Sequence, residues 1–344
     1  MSDLGDFVSQ GLVACPQVAP DDDPSTADVL EQARLVESGL ETLGLPYQRV
    51  SVAEGRVWEL AGALTPGVVV FNLLEAPPGA PQRHAAAAAV LELLGAPFTG
   101  CGAAALWLTT DKLATRAVLA TNGVAIAAGG RVDPQAPALP PGVVWPVIIK
   151  PAWEDASLGL EGNPLCSTPE ELATRARLLA ARFPGQPLLV EEFLPGREFN
   201  VALLERAGEL EILPVAEIAF VDLPPDEPPI VGYEAKWQPG SPADRHTVRR
   251  FPDERAEGAL LPRLRGFALA AWRACGVAGY ARVDIRLDGR GEPRVLEVNA
   301  NPCLAPEAGF MAAASRAGLD AAAVVSALLE AAVRRHRGGG RWTT

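Results

Sequence analysis

The chain has 344 residues, enough to bury a large core and to divide into two or three domains. Hydrophobic residues make up 49% and charged residues 21%, the balance of a soluble globular protein, and no apolar run reaches the roughly 18 residues of a membrane span. The net charge of −12 argues against a nucleic-acid footprint. Five scattered cysteines without a C-x-x-C pair, and an opening MSDLGDFVSQ without a basic n-region, give a reduced cytoplasmic protein as the expectation, with neither disulfides nor a zinc site.

In chain order, GLVACPQVAP predicts a first strand, TADVLEQARLVESGLETLG an amphipathic helix closing at Gly44, and LPYQRVSV a second strand. GVVVFNLLE is apolar throughout and turns polar at its end, the pattern of a buried parallel strand. RHAAAAAVLELLG predicts a helix with a glycine C-cap. Alternating strands and helices indicate an α/β sheet. The Pro-rich DPQAPALPPGVVWP predicts a connection, followed by a strand at PVIIKPAW, a helix at TPEELATRARLLAARF and a strand at PLLVEEFL. In that helix Thr168 is the expected N-cap and Glu171 completes a capping box. GREFNVALLER and LEILPVAEIAF read as antiparallel strands. The stretch from Val221 to Phe251 is long, Pro-rich and aperiodic, as a lid or binding loop is. A helix at LPRLRGFALAAWRACG, a hairpin and a last helix at AAAVVSALLEAAVRRH complete the chain; the basic, Gly-rich tail is expected to fray.

Two features carry chemistry. Of 30 basic residues only Lys112, Lys150 and Lys236 are lysines. In a chain that otherwise uses arginine, a retained lysine marks a pocket for a compact ammonium, such as one around a phosphate oxygen; three chance survivors on the surface are the competing reading. The hairpin ARVDIRLDGRGEPRVLEVNANP sets Arg282, Asp284 and Arg286 on one strand and Glu297, Asn299 and Asn301 on the other. Side chains two apart share a face, so Glu297 and Asn299 point together, with Asp284 across from them or one pair away. Two carboxylates and a carboxamide form a hard-oxygen cluster suited to Mg²⁺, and Arg282 beside them can steady developing negative charge. A solvated face with cross-strand ion pairs from Arg282 or Arg286 to Glu297 is the alternative. Two of the six asparagines of the chain fall here, just before a proline, which favours function.

These residues resemble the C-terminal metal site of ATP-grasp ligases, in particular the D-alanine–D-alanine ligase branch. The resemblance extends to LELLGAPFTGCGAAALWLTTDKLATRAVLATNGV, WPVIIKPAWEDASLGL, LLVEEFLPGREFNVALL and GYEAKW, covering most of residues 90–330. It implies α/β architecture (α+β in the ATP-grasp part) in three domains. These are a Rossmann-like pre-ATP-grasp domain at 1–110, a central subdomain at 111–195, and a C-terminal subdomain at 196–337 with a lid at 220–250, followed by a flexible tail at 338–344. It implies ATP and Mg²⁺ as cofactors, with Mn²⁺ as an alternative metal. Lys112, Lys150 and Lys236 match phosphate-binding lysines, Glu191 and the backbone near Leu194 the adenine hinge, and Glu198 the ribose carboxylate. Asp284, Glu297 and Asn299 match metal ligands, Arg282 the residue that steadies the tetrahedral intermediate, and Ser157 a serine of the phosphate-covering loop.

The implied activity joins a small-molecule carboxylate to an amine through an acyl phosphate, without nucleic-acid or membrane partners and with a homodimer admitted as the assembly. The first 85 or so residues match only in outline. The Gly-rich turn and the glutamate that holds the first ammonium have no counterpart, and Asp21, Asp22 and Asp23 stand there instead. FNLLE resembles a variant branch in which Asn72 and Glu75 face the substrate. Asp155 and Ala156 replace small loop residues, Trp237 a lid tyrosine, Cys303 a glycine and Ala308 a serine that holds a second carboxylate. Arg245, His246, Arg249 and Arg250 are candidates for a replacement clamp. The expected substrate is therefore an amino acid or short peptide other than D-alanine; a true D-alanine–D-alanine ligase and a non-catalytic nucleotide-binding regulator are the alternatives.

Overall fold

The computed structural model describes residues 7–18, 24–76, 79–81, 83–155, 157–224, 227–238 and 240–338, with the backbone only for 24–27. Asp21, Asp22, Asp23, Ala156 and nearly all of the tail lie outside the described residues.

Three strands, β1 (Gln10–Pro16), β2 (Tyr47–Val52) and β3 (Val68–Asn72), form a parallel sheet in the order β2-β1-β3. Helix α1 (Pro24–Thr42) connects β1 to β2. The apolar runs of β1 and β3 have a direct cause: both faces of this sheet are covered. Leu12, Ala14, Val68 and Val70 enter one core with α2 (Arg83–Leu93) and α3 (Ala103–Thr110). Val13, Cys15, Val69 and Phe71 enter a second core with Val29, Ala33, Val36 and Leu40 of α1. Edge strand β2 is half-buried or exposed except at Val52, as an exposed margin is.

Helix α4 (Lys112–Thr121) starts at an Asp111 N-cap, whose carboxylate accepts from the backbone N–H groups of Leu113 and Ala114. Strands β4 (Gly129–Val132), β5 (Val147–Pro151), β6 (Leu165–Cys166) and β7 (Leu188–Glu192) form an antiparallel sheet in the order β4-β7-β5-β6, packed on α5 (Pro169–Arg182) through Leu172, Ala176 and Leu179. Thr168 caps α5 through the N–H of Glu171, as expected. The Glu171 carboxylate bonds the N–H of Ser167, one residue before the cap, rather than the cap itself.

The third sheet is antiparallel, in the order β11-β10-β8-β12-β13, with β9 also on β8. Its strands are β8 (Glu198–Arg206), β9 (Glu209–Ile212), β10 (Ala216–Phe220), β11 (Thr247–Arg250), β12 (Tyr280–Leu287) and β13 (Pro293–Asn299). The long aperiodic stretch projects between neighbours β10 and β11, its root closed by Phe220 opposite Thr247, and carries two short helices, α6 (Tyr233–Trp237) and α7 (Pro242–His246). Helix α8 (Leu260–Cys275) ends at Gly276 with φ of 62°, a left-handed cap. Helices α9 (Gly309–Arg316) and α10 (Ala321–Gly338) follow the hairpin.

The first and third sheets share both large cores: Phe199, Val201, Val283 and Ile285 join the first, and Ala202, Leu204 and Tyr280 the second. Helix α10 lies against α1 so closely that a β-carbon on Gly39 would stand 2.6 Å from Val325. Among the described residues no single helix is long and apolar enough to cross a membrane. The three sheets occupy consecutive stretches of chain, and on that ground we propose domain boundaries near 110 and 195.

Candidate active site

The hairpin register decides how its polar face is built. Asp284 pairs directly with Glu297 and Arg282 with Asn299, so all four side chains share one face. A bulge follows Asp284, where the partner moves from Glu297 to Val295. Arg286, set opposite Glu198 by the pairing of β12 with β8, has other partners. It bonds Glu198 at 3.0 Å, the carbonyl of Gly196 at 3.2 Å and that of Pro229 at 2.6 Å, and it makes no cross-strand pair with Glu297. The simple solvated-face reading fails at this point.

Arg282 holds Asp284 with both arms, Nε to Oδ1 at 2.7 Å and Nη2 to Oδ2 at 2.8 Å. From the third strand Asn200, which sequence reasoning missed, donates to Asp284 Oδ1 at 2.8 Å. Its only sequence signal is its place in EFNV; the pairing of β8 with β12 sets it opposite Asp284. Asn299 is oriented by the N–H of Asn301, which donates to its Oδ1 at 3.0 Å.

Glu297 is where the site converges. Burial pushes its carboxyl up, but Lys112, Lys236, Arg282 and Lys150 outweigh that and hold it below the usual range. Residues from α4, β5, α6 and β12 thus bring positive charge to one carboxylate of β13. Lys112 is buried, and its Nζ donates to the carbonyl of Glu154 at 2.5 Å and to Asp155 at 2.9 Å. Burial disfavours its charge, yet Asp155, Glu297 and Glu191 raise its pKa above the ordinary lysine value. Lys236 is open to solvent itself, but its place in the cleft desolvates the ammonium. With Arg282 this lowers its pKa, against the pull of Glu297, Asp284 and Glu198.

Lys150 bonds Glu191 at 2.5 Å, and the other oxygen of Glu191 accepts from Arg116 at 2.6 Å. Burial raises the Glu191 carboxyl, but Lys150, Arg116 and Lys112 bring it below the ordinary range. The Glu191 side chain is thus a strut for Lys150, and Arg116 is a second participant the sequence did not announce. Leu194 is buried at the end of the same segment. Glu198 is raised by burial, with Arg286 pulling it down and Asp284 pushing it further up. Ser157 has φ of 63° and donates to the carbonyl of Val231 at 2.8 Å, tying the segment after β5 to the stretch between β10 and β11. Trp237 ends α6, one residue beyond Lys236.

The remaining candidates gather across the cleft. Asn72 is 3% exposed, and its Oδ1 accepts from the N–H of Leu74 at 3.4 Å. Glu75 accepts from Gln32 Nε2 at 2.9 Å; burial, with Asp28 and Asp155 nearby, pushes its carboxyl up to about 7. The Cys303 thiol donates to Asp28 at 2.8 Å, and burial together with Asp28 pushes its pKa well above the thiol range. A thiol held protonated is not suited to act as a nucleophile. Of the four clamp candidates only Arg249 reaches the site. It donates to the carbonyl of Glu307 at 3.0 Å, and it approaches Gly309 together with Arg282, at 3.8 and 3.7 Å from where a β-carbon would stand. Arg245 turns to Gly240, His246 bonds Val221, and Arg250 pairs with Glu217 in the sheet.

The donor set suits Mg²⁺. Two carboxylates and a carboxamide on one face supply hard oxygen without a closed cage, and Mg²⁺ is commonly held by one or two carboxylates plus substrate phosphates. Among the described residues no group of three or more His, Cys, Asp or Glu side chains is placed to hold a metal ion.

Solved structures share this architecture. The D-alanine–D-alanine ligase of Bacillus anthracis covers 97% of this chain and 100% of its own at 18% identity, with a TM-score of 0.73, or 0.72 when complexed with ATP. At that identity the likeness establishes the fold alone, the ATP-grasp fold. The uncharacterized protein y4sG of Sinorhizobium fredii is 33% identical over 79% of this chain and 76% of its own. The D-alanine–D-alanine ligase of Desulforudis audaxviator is 32% identical over 89% and 94%. The chain is an ATP-grasp ligase, an enzyme. The family model described as D-ala D-ala ligase C-terminus matches residues 138–330, more than half of the chain, and the chain belongs to that family.

Proposed function

We propose that this ligase uses ATP and Mg²⁺ to join a carboxylate to an amine, on amino acids or a short peptide other than D-alanine. The substrate carboxylate attacks the γ-phosphorus, the bond to ADP breaks, and an acyl phosphate forms. The amine then attacks the acyl carbon, loses a proton and expels phosphate. Bound Mg²⁺ supplies charge neutralisation at the phosphates, with Asp284, Glu297 and Asn299 to hold it. Lys112, Lys150 and Lys236 take phosphate oxygens, and Arg282 faces the oxygen that becomes negative as the amine adds. Such chemistry asks for positioning and positive charge rather than a protein nucleophile. The convergence of three lysines and Arg282 on Glu297 supports it and speaks against a non-catalytic regulator.

The substrate reading rests on Arg249. The N-cap of α9 is Ala308, which makes no side-chain cap bond, so no hydroxyl is available there. In its place two guanidinium groups meet at Gly309. We assign Arg249 to a substrate carboxylate, a planar fork where a hydroxyl would give one bond. The relatives named for D-alanine keep the ordinary ligase reaction as the second reading. Phosphate release from purified enzyme, ATP and Mg²⁺ decides: D-alanine is measured beside L-amino acids, β-amino acids and dipeptides. Fastest release with D-alanine alone, with stoichiometric D-alanyl-D-alanine, overturns the proposal.

A further inference from the structure

Gln32 lies on α1, far in sequence from every residue of the candidate site except Asp28, and is 2% exposed. A buried carboxamide costs free energy unless both its ends are bonded. Both are. Its Nε2 donates to Glu75 at 2.9 Å, beyond the end of β3, and its Oε1 accepts from the N–H of Leu304 at 3.1 Å, in the loop after the metal hairpin. One turn earlier on the same helix face, Asp28 accepts from Cys303. That loop continues back through Asn301, whose N–H orients Asn299. A single side chain thus ties the segment after β3 to the loop after the hairpin.

We propose that Gln32 is a positioning residue of the ligase reaction, fixing Glu75 on one wall and the Cys303–Leu304 loop on the other at the separation the substrate needs. The inference rests on the reading of this cleft as the substrate site. Only an amide fills the position. A glutamate at 32 cannot donate to Glu75 and sets like charges together; a methionine fills the volume and leaves the Leu304 N–H and the Glu75 carboxylate unbonded. Glu75 also faces Asp28 on α1, Asp155 of the phosphate-covering loop, Cys303 and Tyr280. Among the described residues, the hydrogen bond from Gln32 is the one influence on it that favours the ionised form.

The test compares Gln32→Met and Gln32→Glu with the parent, each checked for folding by circular dichroism and thermal melting. With substrates from the phosphate-release screen, kcat/KM for the carboxylate substrate should fall about 10- to 100-fold while KM for ATP stays within twofold, since misplacement by an ångström costs on that order. The pH profile of kcat/KM should move upward in Gln32→Met. In the same variant, without any substrate, ¹³C-carboxyl NMR should show the Glu75 titration shifted to higher pH, its signal assigned by loss in Glu75→Gln. An unchanged Glu75 titration, or kinetic losses spread equally over ATP and carboxylate substrate, overturns the proposal. If no substrate of any class releases phosphate, the functional reading has failed, and the NMR titration alone decides for or against the role of Gln32.

Discussion

Replacing Glu191 by Gln tests whether this carboxylate is the strut that holds Lys150 in the phosphate site. Its side chain is 5% exposed and those of Lys150 and Arg116 16% and 10%, so all three charges are largely withdrawn from water. Arg116 keeps a second partner, the carbonyl of Ala127 at 2.7 Å; Lys150 has no other hydrogen bond or ion pair among the described residues. Removing one member of a buried ion pair costs about 3–5 kcal/mol, because the other charge stays buried alone. For a chain of 344 residues that lowers the thermal midpoint by roughly 4–7 °C. Glu191 is depressed below the carboxylate range by Lys150, Arg116 and Lys112 against burial, so its contribution is present above the unfolded value and lost as pH falls through the folded one. The loss in Glu191→Gln should therefore shrink in acid. Adding Lys150→Met to Glu191→Gln should recover much of the stability, since the unpaired ammonium goes too. A midpoint within about 2 °C of the parent, or no recovery in the double variant, refutes the strut.

Asp284→Ala and Glu297→Ala should each abolish turnover with the fold intact; full activity in well-folded Glu297→Ala sinks the metal assignment. The lid between β10 and β11 is tied at Val231 and Pro229, and an ATP analogue with Mg²⁺ should slow proteolysis within 220–250. Equal cutting with and without ligand counts against a lid, and Lys236→Arg should be poorly tolerated in turnover because a planar fork cannot act as a point charge. Glu75 should cost stability as pH rises. Its folded value of about 7 lies above the ordinary 4.5, so the native state binds its proton more tightly, and stability falls between those values by up to about 3 kcal/mol. Glu75→Gln should match the parent near pH 5 and be the more stable near pH 8, as measured by urea unfolding at each pH; the opposite order would show that the ionised form is favoured.

Much of the fold was written locally. The apolar runs of β1 and β3 announce strands covered on both sides, and Thr168 and Gly276 punctuate their helices as capping chemistry requires, while the Glu171 carboxylate takes the N–H of Ser167 instead of that of its cap. The three lysines and the hairpin face were legible because composition and period alone single them out. Asn200, Arg116 and Gln32 were not, since each acquires its role from a partner 84, 75 or 43 residues away. Nothing in a lone asparagine, arginine or glutamine of a regular element distinguishes it before strand pairing and helix docking are known. The bulge after Asp284 was equally hidden; it shifts the partners on β13, while Arg286 keeps its face and is set opposite Glu198 by the pairing of β12 with β8.

The close seat of α10 on α1 at Gly39 has a consequence for biosynthesis. Val29, Ala33, Val36 and Leu40 belong to one core with Val324, Val325, Leu328 and Leu329, and those partners leave the ribosome some three hundred residues later. At about 5–20 residues per second, one face of the earliest helix waits at least fifteen seconds or so for its cover. Nascent chains halted before residue 321 should thus present an apolar surface to chaperones, and a recombinant fragment of residues 138–330 would lack that first helix, end inside α10 and leave uncovered the face of α10 that packs on α1.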